Sequence, residues 1–300
     1  MIARRWLVPV IGALLSGALM LACTAPRMIG SNRSSVICKE LGEAPDSRWK
    51  TIIDGGVHWL VTPCDERFFS LGVNVMDGAV TQAASNDRSA YHWTRFYAQL
   101  EDWAQTARQR VLAWGFNTAG GWSLDPRLLE LPTTPNLELG RTAQFHWFDP
   151  FDPATAERMR AWAHRLVAPY KGNPYRIGYF IDNEVGWWNG ALFIYYLKQP
   201  ATNHTKQHLI TRLREHYGND WKRFTEDFVA PAGIASFEQL LQRTGSWPQL
   251  RPGGSGIQFT RHWTGIIAGL YYHLAHHAVR EADPEALILG DRLPIYYEPR

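Results

Sequence analysis

The hydrophobic pattern of this 300-residue chain changes period several times, and the changes mark its elements. Two alternating runs, Trp49 to Asp54 and Val57 to Thr62, flank Gly55-Gly56, which is a β-hairpin signal. Arg67 to Val75 is mostly apolar and reads as a strand. Phe96, Leu100, Trp103, Ala104, Ala107, Val111 and Trp114 then recur at helical spacing, and Gly115 stops the helix. Phe116 to Ala119 predicts a short second strand running into Gly120-Gly121-Trp122, and Asn136 to Gly140 a weak third. Asp152-Pro153 opens a further helix whose inner face is Met159, Trp162, Ala163, Leu166 and Val167.

Ile177 to Ile181 is short, apolar and rich in β-branched and aromatic residues, as buried strands are. Beyond it come a helix marked by Leu209, Leu213 and Tyr217, a break at Gly218-Asn219, and an aromatic region with Trp221, Phe224 and Phe228. After Gly253 to Gly256 a long helix turns Trp263, Ile266, Ile267, Leu270 and Leu274 inward and ends before Asp283-Pro284. Ala286 to Gly290 is one more strand and delivers Asp291 and Arg292. Alternating strands and helices predict parallel βα units, five of them counted from Arg67 to Val75 as the first.

The chemistry gathers at the end of the Ile177 to Ile181 strand, where Asp182, Asn183 and Glu184 arrive together and Gly186, Trp187, Trp188 and Gly190 follow. A buried parallel strand that ends in carboxylates before an aromatic loop is the arrangement of an active site at the carboxyl end of a barrel. Asp182 and Glu184 as mere turn residues is the plainer reading, but Glu has no special aptitude for turns. Asn74, Asn117, Asp291 and Arg292 also sit at strand ends, with Asp291 and Arg292 equally suited to an ion pair; Asn74 and Trp122 are candidate substrate contacts. His204 and His208 have the four-residue spacing of a metal pair, but no third ligand is near in sequence, and no metal or cofactor is expected.

Composition narrows the partner. A net charge of +3 with no basic stripe gives no support to a nucleic-acid partner. The 14 tryptophans and 12 tyrosines suit surfaces that meet apolar faces and hydroxyls together, as sugars present them, although part of that count belongs in any core. Arg4 and Arg5, the apolar run Leu7 to Leu21 and the small residues before Cys23 read as a secretory signal over residues 1–23. Met20-Leu21-Ala22-Cys23 resembles a bacterial lipobox, so Cys23 is a candidate lipid anchor, with an ordinary signal peptide as the alternative. The expected location is therefore periplasmic, on the outer membrane, or secreted. Residues 24–47 read as a tether and 48–300 as the catalytic domain. Cys38 and Cys64 remain as an even pair, which suggests one disulfide in an oxidising compartment; two free thiols are the alternative.

Three stretches carry a resemblance to a family: Phe69 to Asn74, Gly178 to Gly190, and Leu213 to Gly218 through Trp221. Together they resemble the retaining glycoside hydrolases built on a (β/α)8 TIM barrel, within which the chain is most similar to agarases and to the β-galactosidases of family 42. The resemblance spans roughly residue 50 to the end. It implies hydrolysis of β-galactosidic bonds in a polysaccharide, with Glu184 as acid/base, Asn183 on the sugar 2-hydroxyl, and Trp187 and Trp188 stacking on sugar or walling the cleft. Set between apolar residues and two indoles, Glu184 is expected to be desolvated. The family's nucleophile ends its seventh strand, and only five strands are counted here, so the chain reads as a truncated barrel whose nucleophile lies beyond it; Glu298 sits in a loop context. A non-catalytic carbohydrate-binding lipoprotein with a degenerate barrel is the alternative.

Overall fold

The structure, a computed structural model, describes residues 48–80, 91–187 and 190–293. The expected hairpin is present: β1 (Lys50–Asp54) and β2 (Val57–Val61) pair antiparallel around two glycines with positive φ, which that tight turn requires. The single strand expected over Arg67 to Val75 is two short ones. β3 (Arg67–Phe68) pairs with β2, whereas β4 (Gly72–Val73) leaves the hairpin sheet and pairs parallel with a later strand. The division falls where Ser70 and Leu71 turn to bond Thr118 and Asn117.

The helix α1 (Leu100–Ala113) buries Trp103, Ala104 and Val111 and ends at Gly115, whose φ of 89° lets the Phe116 N–H reach back to the Val111 carbonyl. It is followed by β5 (Thr118–Ala119), α2 (Pro126–Leu129), α3 (Leu139–Thr142) and α4 (Thr155–Val167). The weak strand expected over Asn136 to Gly140 is displaced. Parallel bridges form earlier, Ala119 to Thr133, Thr133 to Arg176 and Asn136 to Phe180, and residues from Leu139 onward are helical. Next in order come β6 (Gly178–Asn183), α5 (Ala191–Leu197), α6 (His204–His216), α7 (Trp221–Asp227), β7 (Phe228–Val229), α8 (Phe237–Gln242), β8 (Gln249–Leu250), α9 (Gly256–Ala282) and β9 (Leu287–Arg292).

The parallel pairings follow chain order: β4 beside β5, β5 bridged to Thr133, Asn136 bridged to Phe180 of β6, and β6 beside β9. This is the βα alternation that the periodicities predict, a partial α/β architecture with the antiparallel β7–β8 pair as an accessory. The core lies between β6 and the helices α4, α5, α6 and α9. The row Phe259, Trp263, Ile267, Tyr271 and Ala275 of α9 is fully buried, each residue four after the last, so one helical stripe runs through the core.

The β6–β9 contact is close because residue 178 is glycine. A Cβ there would stand 2.6 Å from the Leu287 carbonyl oxygen and 2.9 Å from the Leu287 Cβ. Gly178→Ala should therefore force the two strands apart and destabilise the fold by about 1–3 kcal/mol. Thermal and urea unfolding measure this, and an unchanged midpoint would show that the pairing tolerates the extra atom.

Candidate active site

Four parallel segments end on the same side, and each is followed by a non-glycine residue in the left-handed region: Val75 at φ 59°, Trp122 at 59°, Glu138 at 49° and Glu184 at 54°. For a β-branched residue such as Val75 this is a costly conformation, so the surrounding bonds must hold it. They do so in pairs. Val75 N–H donates to Gly121 O at 2.9 Å, Gly120 N–H to Val73 O at 2.7 Å, and Glu184 N–H to Arg292 O at 3.0 Å. Two close approaches need glycine: a Cβ at Gly120 would collide with Asn74 Oδ1, and one at Gly140 would come within 2.6 Å of Asp182 Oδ2 and 2.8 Å of His146 Nε2.

Asp182 is buried and accepts from Gly140 N–H at 2.6 Å and Tyr271 O–H at 3.0 Å. Burial pushes its carboxyl up from the ordinary range, against the pull of those donors. In register beside it stands Asp291, which accepts from Tyr272 O–H at 3.4 Å. Burial first, and the Asp182 charge second, raise Asp291 to about 6. Tyr272 also accepts the Trp187 indole N–H at 3.3 Å. His146 packs on Tyr271 at 4.5 Å and on Trp187 at 5.3 Å between ring centres, and burial depresses it to about 3, so it is neutral.

The sequence-predicted residues divide accordingly. Asn183 is half-buried beside Arg292, and Glu184 is exposed. The desolvation expected of Glu184 falls instead on its neighbour Asp182 and on Asp291, because the left-handed turn after Asn183 carries Glu184 out of the packed layer. Trp187 is buried at 5% exposure, so it backs the site through its N–H and offers no open face; Trp188 and Glu298 lie outside the described residues. Trp122 is 40% exposed, donates its indole N–H to Glu138 Oε1 at 2.8 Å, and carries the Arg292 guanidinium on its ring at 4.6 Å. Asn74 is exposed above Gly120. Arg292 lies on that indole rather than on the Asp291 carboxylate, so the ion pair considered from sequence does not form. Asn117 is not at this end: its side chain ties Phe69 O and Leu71 N–H at the start of β5.

The spacing of His204 and His208 serves other contacts. His204 Nδ1 lies 3.0 Å from Asp149 Oδ2, and His208 stacks on Phe151 at 3.9 Å. Among the described residues no group of three or more His, Cys, Asp or Glu is arranged to hold a metal ion. Cys64 is in a disulfide, and the cysteine expected to partner it, Cys38, lies outside the described residues. Asn136, Glu138, His146, Tyr271 and Tyr272 went unnoticed in the sequence; the one signal for Tyr271 was its place four residues after Ile267 in the buried row of α9.

Comparison with known proteins bears on the fold. The chain shares the α/β fold of solved agarases. It superimposes on the crystal structure of an agarase with a TM-score of 0.63 at 19% identity, covering 84% of this chain and 46% of that one. An exo-β-agarase gives 0.63 at 18% identity, covering 84% and 47%. In sequence it is similar to two curated proteins of Vibrio sp. (strain JT0107). β-Agarase B is 29% identical over 100 residues, 29% of this chain and 10% of the relative, and β-agarase A is 29% identical over 131 residues, 38% and 13%. The chain thus spans about half the length of the solved agarases, and its sequence matches cover about a tenth of the curated ones. No family model matches it.

Asp291 gives a pH test. Its folded value near 6 lies above the ordinary carboxyl value of 3.8, so the folded state holds the proton more tightly than the unfolded one. Stability is then greatest below the unfolded value and falls as pH rises through the window between the two, levelling above the folded value. Asp291→Asn removes that slope. The variant should match the wild type near the acid end of the window and melt higher at neutral pH, and parallel melting curves across the whole range would refute the assignment.

Proposed function

We propose that this chain belongs to a retaining glycoside hydrolase that cleaves β-galactosidic bonds in an agarose-like polysaccharide, its parallel arc forming part of a (β/α)8 barrel. The observation that carries the reading is Glu184 itself. It is an exposed carboxyl, held in a strained left-handed turn at the carboxyl end of a parallel strand by a bond to the next strand. Backbone strain of that kind persists where function requires a fixed placement. The likeness to agarases, in fold over most of the chain and in sequence over part of it, supplies the substrate class.

In this reading Glu184 protonates the glycosidic oxygen and then serves as base toward water, while Asn183, one residue earlier, meets the sugar 2-hydroxyl. Exposure of Glu184 leaves it within reach of a polymer chain. Asp182, buried, and Asp291, half-buried, have a different part, as acids that set the position of the strand ends. Trp122, and Asn74 across from it, line the approach. We further propose export with a lipid anchor on Cys23, a location in which the Cys64 disulfide is at home.

Glu184→Gln in the full-length protein should lower hydrolysis of agarose or its oligosaccharides by roughly 10²–10⁴-fold while sugar affinity is retained. Aryl β-galactosides with good leaving groups should lose less, because their departure needs little protonation. Reducing-end release and product analysis read both. Full activity of the variant on polysaccharide would remove Glu184 from the mechanism, and binding without any hydrolysis by the wild type would favour a carbohydrate-binding protein.

A further inference from the structure

Buried polar atoms without partners are scarce in folded proteins, and where several meet they point to a partner that arrives from outside. Two such side chains meet beside Trp122. Both Oδ1 and Nδ2 of Asn136 are buried and unpartnered, and so is Nη1 of Arg292. Both side chains pack against Gly121, where a Cβ would stand 3.0 Å from Arg292 Nη1 and 3.4 Å from Asn136 Cβ. The Arg292 guanidinium lies over the Trp122 ring at 4.6 Å and the Phe180 ring at 5.7 Å, so its faces are occupied by aromatics and its N–H edge is left to bond.

From this convergence we infer that Asn136 and Arg292 form a hydrogen-bonding cradle for a neutral sugar unit seated against Trp122. Asn136 offers one donor set and one acceptor, and Arg292 offers donors only, a complement to adjacent hydroxyls that both give and accept. Charge decides between a neutral and an anionic ligand. Glu138 is bonded to the N–H of the same Trp122 ring that carries Arg292, so a sulfate or carboxylate on the sugar would meet a carboxylate beside the one guanidinium. The inference rests on the glycosidase reading for its location, and it adds the residues and the charge class of the sugar.

The test uses the full-length protein carrying Glu184→Gln, titrated calorimetrically with neutral agaro-oligosaccharides. Adding Asn136→Ala, or Arg292→Lys, should weaken binding by roughly 10-fold or more, the worth of a hydrogen bond to a charged or buried group. The melting temperature of the Asn136→Ala form should stay level or rise, because that amide bonds nothing in the free protein. A sulfated oligosaccharide of equal length should bind less tightly than the neutral one. Unchanged affinity in both variants overturns the cradle, as does a loss of affinity that tracks a lower melting temperature. Tighter binding of the sulfated ligand overturns the charge assignment. If a neutral gluco-, manno- or xylo-oligosaccharide binds with the same dependence on Asn136 while agaro-oligosaccharides are neither bound nor cut, the cradle stands and the agarose reading falls. No binding by any neutral sugar ends both.

Discussion

Burying a carboxyl is costly unless donors meet it, and Asp182 meets two from different parts of the chain: a backbone amide of α3 at Gly140 and a hydroxyl of α9 at Tyr271. Those two bonds join β6 to the α3 turn and to α9 in one step. The approach of Gly140 is so close that any side chain there would displace the carboxyl or His146. Since Asn183 and Glu184 follow Asp182 directly, the pin that fixes Asp182 also fixes the origin of the turn that presents them. Removing either partner would leave a buried carboxyl with fewer donors, at a cost that can exceed the worth of the bond when made. One strand over, Asp291 accepts from the Tyr272 hydroxyl, which itself accepts the Trp187 indole N–H.

The four left-handed residues after the strand ends show what that frame supports. A single non-glycine residue at positive φ is tolerable in any fold, but Val75, Trp122, Glu138 and Glu184 stand in a row along one edge of the parallel arc. Each costs free energy locally, and each is held by a backbone bond to an adjacent segment or by a side-chain bond across the site. Local propensity and tertiary structure disagree here, and such disagreements tend to fall where a protein binds or reacts.

Much of the frame was legible in the sequence, for a physical reason. β6 and α9 have periods set by burial on one or two faces, and burial is recorded in residue type; hence the strand at Ile177 to Ile181 and the helix through Trp263 were legible, although its fully buried row runs through Ile267, Tyr271 and Ala275 while Ile266, Leu270 and Leu274 are half-buried. The hairpin was legible through Gly55-Gly56. What failed was anything decided by partners distant in sequence. Arg67 to Val75 has one uniform pattern but two partners, β2 and β5, and divides between them. Asn136 to Gly140 has strand-like residues, yet its bonds go to Phe180 at one end and into a helical turn at the other. The cluster of Glu184, Asn183, Trp122 and Asn74 at the strand ends was anticipated, whereas Asn136, Glu138, His146, Tyr271 and Tyr272 carry no local mark of function.

Trp187 and Glu184 illustrate the hardest distinction, because sequence neighbours were assigned environments opposite to those they occupy. An aromatic after a strand end suggests a sugar platform, and a Glu between apolar residues suggests a buried acid. In the fold the roles are exchanged: Trp187 is buried against His146, Tyr271 and Tyr272, and Glu184 faces solvent. One left-handed residue is enough to do this. It breaks the strand's alternation at Glu184, so the packed layer receives Asp182 and Trp187 on either side of the turn while the carboxyl between them is thrust outward. Asp182 can then hold the frame from within the core, while Glu184 stands clear of it at the surface. A turn built this way separates a buried carboxyl that fixes the strand end from an exposed one that stands outside the core, although only one residue lies between them.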